Sequence, residues 1–230
     1  MTDDDTDLAT RLSEVARTLQ EQGGEQDTLD AIVRAAVDTI PGAHHAGIMT
    51  VAGKREVSTV AMTDDLPGRV DQVQYDTGEG PCLTALFQHR MVAVPDLAAD
   101  GRWPAFSALA SRMGVSSMLS FRLYVRDDDL GALNLYAPEV EAFGEESEHV
   151  GLLFASHAAV AMADAQQQEH LVEAVHTRDL IGQAKGILME RHKLTADQAF
   201  TLLVRASQRT NTKLRDLADQ LTRTGDLGSS

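Results

Sequence analysis

The stretch RASQRTNTKLR, Arg205 to Arg215, sets four cations among short polar side chains. Arg205, Arg209, Lys213 and Arg215 supply charge suited to phosphate oxygens. Ser207, Thr210 and Asn211, with Gln208, supply donors and acceptors of the kind that meet base edges. Lys185 and Arg191 stand a little upstream, in QAKGILMERHKL, with Gly186 between them. Gly182 and Gly186 are one helical turn apart. A glycine inside a helix costs roughly 1 kcal/mol against alanine, so the pair reads as a close approach of another backbone. These cations contrast with the rest of the chain, whose net charge is −15. Residues 175–224 hold 9 Lys+Arg against 5 Asp+Glu, whereas residues 1–174 hold 11 against 29. Two segments of opposite sign imply two jobs, and the basic one is where a polyanion would bind. A charged, solvated helix face is the alternative reading of that composition.

Three helices are predicted to carry the cations. The first, from about Thr177 to His192, buries Leu180, Ile181, Ala184, Ile187 and Leu188. The second opens on TADQ, where Thr195 caps and Gln198 returns the bond, and buries Ala199, Phe200, Leu202, Leu203 and Ala206. The third starts near Asn211 or Thr212 and buries Leu214, Leu217, Ala218 and Leu221. Short connections pack the three into a bundle, with Lys185, Arg191, Arg205, Arg209, Lys213 and Arg215 outside the apolar stripes.

Ahead of the bundle, residues 145–176 repeat Val150, Phe154, His157, Ala161, Asp164, Gln168, Leu171 and Val175 at alternating four- and three-residue steps. That is a heptad-like seam with three polar positions, which predicts a connecting helix that pairs weakly with a second copy. A helix packed on its own sheet is the alternative. The segment DAQQQEH marks the domain boundary, where a change of helix register would pass a signal.

The first 160 residues mix helices and strands. Leu8, Leu12, Val15, Ala16 and Leu19 form one helical stripe, ended by Gly23 and Gly24. Leu29, Ile32, Val33, Ala36, Val37 and Ile40 form another, stopped by Pro41 and Gly42. AGIMTVA and EVSTVAMT read as a hairpin turning at Gly53 and Lys54. LPGRVDQVQYDTGEGP reads as loop, CLTALFQH as a short helix, MVAVPDL as a strand ended by Pro95. WPAFSALASRMG is a helix with Pro104 near its start. SSMLSFRLYVRDDDLGALNLYA is a second hairpin, with Gly131 in its acidic turn. Consecutive hairpins imply an antiparallel sheet with helices on its faces, an α+β fold.

Two resemblances rest on these residues. YDTGEGPCLTAL (Tyr75–Leu86), VPDL (Val94–Leu97) and the closing GALNLYA strand resemble a GAF domain, a small-molecule sensing and dimerisation module. LIGQAKGILMERHKLTADQAFTLLVRASQRTNTKLRDLADQL resembles an ANTAR domain, the RNA-binding module of transcription antiterminators, in the GAF–ANTAR arrangement of actinobacterial type. Its recurring positions are met by Ala184, Lys185, Gly186, Leu188, Met189, Ala199, Leu203, Ala206, Ser207, Asn211, Leu217 and Ala218. The resemblance implies binding to paired RNA hairpins in leader transcripts, with terminator formation blocked. Phe200, the one aromatic of the basic segment, is expected inside the bundle, so stacking would fall to Arg205, Arg209 or Arg215.

Other chemistry is sparse. Cys82 is the only cysteine, which rules out an internal disulfide and suits a reducing compartment; it reads as a packed thiol. His44 and His45 have no ligand partners at metal spacing. Tyr75 and Trp103 read as core. The Asn-Lys…Phe…Asp-Glu signature of cyclic-nucleotide GAF domains is not evident around Phe143. TGEGP lacks the strand–turn–helix setting of a phosphate loop, and no nucleophile signature is present, so no enzyme is expected. MTDDDTDLAT carries no secretory signal and no apolar run reaches about 18 residues, which predicts a cytoplasmic protein without a membrane span.

The expected organisation is an acidic tail and N-terminal helix over residues 1–23 and a GAF-like sensor over 24–162. The connecting helix and a three-helix ANTAR bundle occupy 163–224, and a tail 225–230. The function implied is an RNA-binding antitermination regulator, a homodimer on RNA hairpins, with no cofactor beyond a small-molecule or protein signal for the sensor. The RNA contacts are assigned to Lys185, Gly186, Arg191, Arg205, Ser207, Arg209, Thr210, Asn211, Lys213 and Arg215. The alternatives are a helix-turn-helix DNA binder, for which TNTKLRDLADQL has the polar cap and apolar spacing, and an interaction module without nucleic acid.

Overall fold

The computed structural model describes residues 3–52, 56–87, 90–125 and 128–226. The chain divides into two compact units, Met1–Gln166 and Gln167–Ser230.

The first unit is built on an antiparallel sheet of five strands. They are β1 (His45–Ala52), β2 (Glu56–Met62), β3 (Met91–Val94), β4 (Ser117–Val125) and β5 (Asp128–Ala137), in the order β2-β1-β5-β4-β3. Alternate residues of each strand point to opposite faces. Ile48, Leu119, Phe121, Leu133 and Leu135 therefore share one face. They pack against α1 (Asp3–Gln20), α2 (Glu25–Thr39) and the start of α6 (Glu145–His192), through Leu12, Leu19, Ile32, Ala36, Phe154 and Met162. Met118 and Tyr136 share the other face with α3 (Asp65–Thr77) and α5 (Pro104–Arg112). On that same side Cys82 and Leu86 of α4 (Pro81–Phe87) pack with Met49 and Ala132. Gly151 lets the α6 backbone settle onto β4, since a Cβ there would run into the Phe121 ring.

Several expectations are corrected. Residues 65–77 are a helix, not a loop. Asp64 caps α3 by accepting from the Leu66 N–H at 2.9 Å, and Pro67 sits in its first turn, where no N–H is needed. Gly131 lies within β5, opposite Leu123, rather than in the turn. Its φ of 155° and the Met49 carbonyl beside it leave no room for a side chain. The turns at Gly53–Lys54 and at 126–127 lie outside the described residues. On α6, Val150, Phe154 and Ala161 of the heptad-like seam are buried in their own core, whereas Leu171 and Val175 are 59% and 61% exposed.

In the second unit the last part of α6, α7 (Ala196–Thr210) and α8 (Leu214–Thr224) surround Ala184, Leu188, Ala199, Leu203, Ala218 and Leu221. The helix expected from Thr177 is the continuation of α6. Gly182 and Gly186 are both exposed, and among the described residues no second backbone comes within 4 Å of where a side chain would start. The capping box at α7 is formed in full: Thr195 accepts from the Gln198 N–H at 3.3 Å, and Gln198 accepts from the Thr195 N–H at 2.9 Å. Thr195→Ala is expected to lower the unfolding free energy by about 1 kcal/mol while Thr195→Ser leaves it unchanged, read by urea denaturation. No helix among the described residues is long and apolar enough to cross a membrane.

Candidate nucleic-acid interface

The cations of the second unit fall into two groups. Arg191 donates to the Gly225 carbonyl and so closes the C-terminal end of α8. Arg215 pairs with Glu173 of α6 and, at 3.4 Å, with Asp216; the Asp216 hydrogen bond and the Glu173 charge hold its pKa above the ordinary value. Lys193 and Arg223 pair with Glu190 and Asp219. In contrast Arg205, Arg209 and Lys213 are exposed and have no acidic partner among the described residues.

Arg205 and Arg209 are four residues apart on α7, so their side chains share a face. Like charges at that spacing repel by a few tenths of a kcal/mol, and no acid relieves them. Lys213 stands at the N-cap of α8, immediately past the corner. The corner itself is held by the polar residues of the same string. Asn211 caps α7 in the left-handed region, φ 50°, with its N–H on the Ser207 carbonyl. Ser207 Oγ donates to the Thr212 carbonyl at 2.6 Å, and Thr210 Oγ1 to the Ala206 carbonyl at 2.9 Å. The Ser207 and Thr210 side chains are spent on backbone and the backbone of Asn211 turns the corner, which together fix where the cations point. The third helix accordingly begins at Leu214, two or three residues later than expected.

Lys185 is half-buried and its Nζ lies 6.0 Å over the centre of the Phe200 ring. Gly186 is exposed. Phe200 itself is 41% exposed, which overturns its expected place inside the bundle. Ala199 and Leu203 fill the interior, and the ring is left at the margin of the apolar stripe.

The first unit has a second polar site that the sequence did not mark. Asp71 is fully buried between α3 and the sheet. It accepts from Tyr136 Oη at 2.5 Å, Thr59 Oγ1 at 2.8 Å and Gln74 Nε2 at 3.0 Å. Burial pushes its carboxyl up to about 6, outweighing those donors. Gln74 also accepts from the Cys82 N–H at 3.0 Å, and the Cys82 thiol faces Met49 Sδ at 3.2 Å. Burial, then the Asp71 charge, pushes that thiol well above the ordinary range, so it stays protonated. Beside this cluster Ser120 buries its hydroxyl without a hydrogen-bond partner among the described residues, and the amide of its cross-strand neighbour Asn134 lies beside Asp71 and Cys82. Tyr75 is half-buried and bonds to Thr59 at 2.9 Å, and Trp103 is core. His44 and His45 each face one carboxylate, Glu139 and Asp64.

Residues 22–163 match the GAF domain family and residues 169–221 the ANTAR domain family. Among solved structures the chain is similar to the GAF domain of a phosphoenolpyruvate-protein phosphotransferase from Coxiella burnetii. The TM-score is 0.56 at 16% identity, over 71% of this chain and 96% of that one. It is also similar to a free methionine-R-sulfoxide reductase from Neisseria meningitidis, solved with its substrate. There the TM-score is 0.57 at 16% identity, over 73% of this chain and 95% of that one. Identities at this level show the fold alone. A search of curated proteins found no match.

Proposed function

We propose, for a chain that belongs to the GAF domain family and carries an ANTAR domain, that it binds hairpin RNA in leader transcripts and thereby prevents terminator formation. The observation that carries this reading is the trio Arg205, Arg209 and Lys213, left without acidic partners in a chain of net charge −15. Unrelieved like charge on a rigid corner suits an array of phosphates, and phosphate contacts fix register while base edges supply specificity.

Duplex DNA fits this surface less well. The outward side of α8 bears Asp216 and Asp219 beside Arg215 and Arg223, so a helix laid in the major groove would bring acids against phosphates. Each bundle offers one cationic corner, and two hairpins read by two copies would gain affinity through effective concentration. We therefore assign a homodimer, with the exposed Leu171, Val172 and Val175 of α6 as the apolar face that a second copy covers. The match to the GAF domain family supports a small molecule as the signal for the sensor half. Such a regulator works without catalysis and in the cytoplasm, where transcripts are made.

The test is titration of the full chain with a synthetic RNA carrying two adjacent short hairpins, a single-hairpin RNA and a duplex DNA. Preference for the tandem RNA, weakening steeply with salt, is expected. Equal binding to all three, or to none at any salt, returns the second unit to a protein-interaction role.

A further inference from the structure

An exposed phenylalanine is a poor way to end an apolar stripe, and Phe200 does not stand alone. It borders a groove of about 660 Å³ along α6, lined also by Ala174, Arg178, Ile181, Gly182 and Lys185. A side chain at Gly182 would enter open space, so the groove is unfilled on that side. Neither Arg178 nor Lys185 has an acidic partner among the described residues, and Lys185 leans over the ring. Glu173, the acid that also lines the groove, is paired with Arg215.

We propose that Phe200 is the stacking platform for one unpaired base of the bound RNA, with Lys185 and Arg178 set to hold the phosphates beside it. This rests on the RNA-binding reading above and adds the place where an unpaired base is held. An aromatic face takes any base, while a cation at its margin meets the backbone that carries the base. The ring is also placed to work with the trio. From Phe200 the surface of α7 passes the half-buried Val204 and the exposed Asp197, Gln208 and Thr201 before it reaches Arg205 and Arg209 on its other flank. A hairpin loop crossing α7 thus meets cations on one side and a ring on the other. The apolar face assigned to a second copy borders this groove on α6. At 100° per residue, Leu171 falls on the edge of α6 that Arg178 and Gly182 occupy and Val175 just beyond it, so the two surfaces adjoin and the sedimentation arm below separates them.

The experiment uses the full chain and the two-hairpin RNA, with 2-aminopurine placed in turn at each unpaired loop position. In the wild type, one position is expected to change its fluorescence on binding. Phe200→Ala should abolish that change and weaken binding roughly 5- to 100-fold. Phe200→Trp should keep both. The slope of affinity against salt should be the same in all three, because a ring releases no counterions. Gly182→Leu fills the groove in an exposed helix that tolerates leucine well, and should match Phe200→Ala. If Phe200→Ala and Gly182→Leu bind like wild type while the tandem RNA is still preferred, the platform is wrong and the RNA reading stands. If wild type binds no hairpin RNA, both fall. If Phe200→Ala instead turns dimer into monomer in sedimentation with RNA affinity intact, the ring belongs to a protein interface and the proposal is overturned.

Discussion

Replacing Arg205, Arg209 and Lys213 together by alanine should weaken binding to a two-hairpin RNA by roughly 100-fold or more at about 0.1 M salt. Each cation that neutralises a phosphate contributes close to one unit to the slope of log affinity against log salt, somewhat less on single strands. Losing three should flatten the slope by roughly two to three units, so that the mutant and wild-type curves converge near 1 M salt. Fold stability should hardly change, because none of the three has an acidic partner to orphan and their removal relieves mutual repulsion. Filter binding across a salt series, beside urea denaturation of the same variant, measures both.

Arg191→Ala and Arg215→Ala should behave in the opposite way. Arg191 satisfies the Gly225 carbonyl at the end of α8, and Arg215 ties α8 to Glu173. Removing either should lower the stability of the second unit and leave the salt slope near its wild-type value. A salt slope that falls as much with these two as with the trio would mean that all the cations meet phosphate equally, and the division drawn from their partners would be lost. Both arms are needed, since a loss of affinity alone does not separate a missing contact from a loosened bundle.

Where the partners of a side chain are local, the sequence revealed the outcome. Thr195 and Gln198 are three residues apart, and their capping box formed as read. The strands of both hairpins alternate as their pleat requires, and Ile48, Leu119, Leu133 and Leu135 reached the core. What escaped was decided at a distance. Arg191 and Arg215 find their partners 34 and 42 residues away, so no local pattern separates them from Arg205 and Arg209. Phe200 adjoins Ala199 in an apolar stripe, and only the closing of α6 and α7 on smaller side chains leaves the ring outside. α3 escaped because Asp71 and Gln74 occupy buried positions that a helical stripe reserves for apolar residues. The helix looked like a loop for the same reason that it is interesting.

That buried acid should make the stability of the first unit depend on pH. Asp71 has a folded-state pKa of about 6 against 3.8 for a solvated aspartate, raised by burial. Above about pH 6 the folded state carries the charge at the cost of desolvation. As pH falls through 6 the folded state takes up a proton that the unfolded chain does not bind until nearer 4, so stability rises. The gain should exceed 1 kcal/mol between about pH 7 and pH 5, approaching about 3 kcal/mol once both states are protonated. Tyr75, Tyr136 and Cys82, which face the carboxyl, are all pushed up by burial and stay neutral across this window, so they add no slope. The comparison is with Asp71→Asn. The asparagine keeps the shape and the hydrogen bond from Tyr136 but binds no proton. Denaturation of both proteins at a series of pH values should give curves that diverge below pH 6, the wild type gaining on the variant. Parallel curves would mean that Asp71 keeps its charge at all these pH values, held by Tyr136, Thr59 and Gln74 against the burial that opposes it.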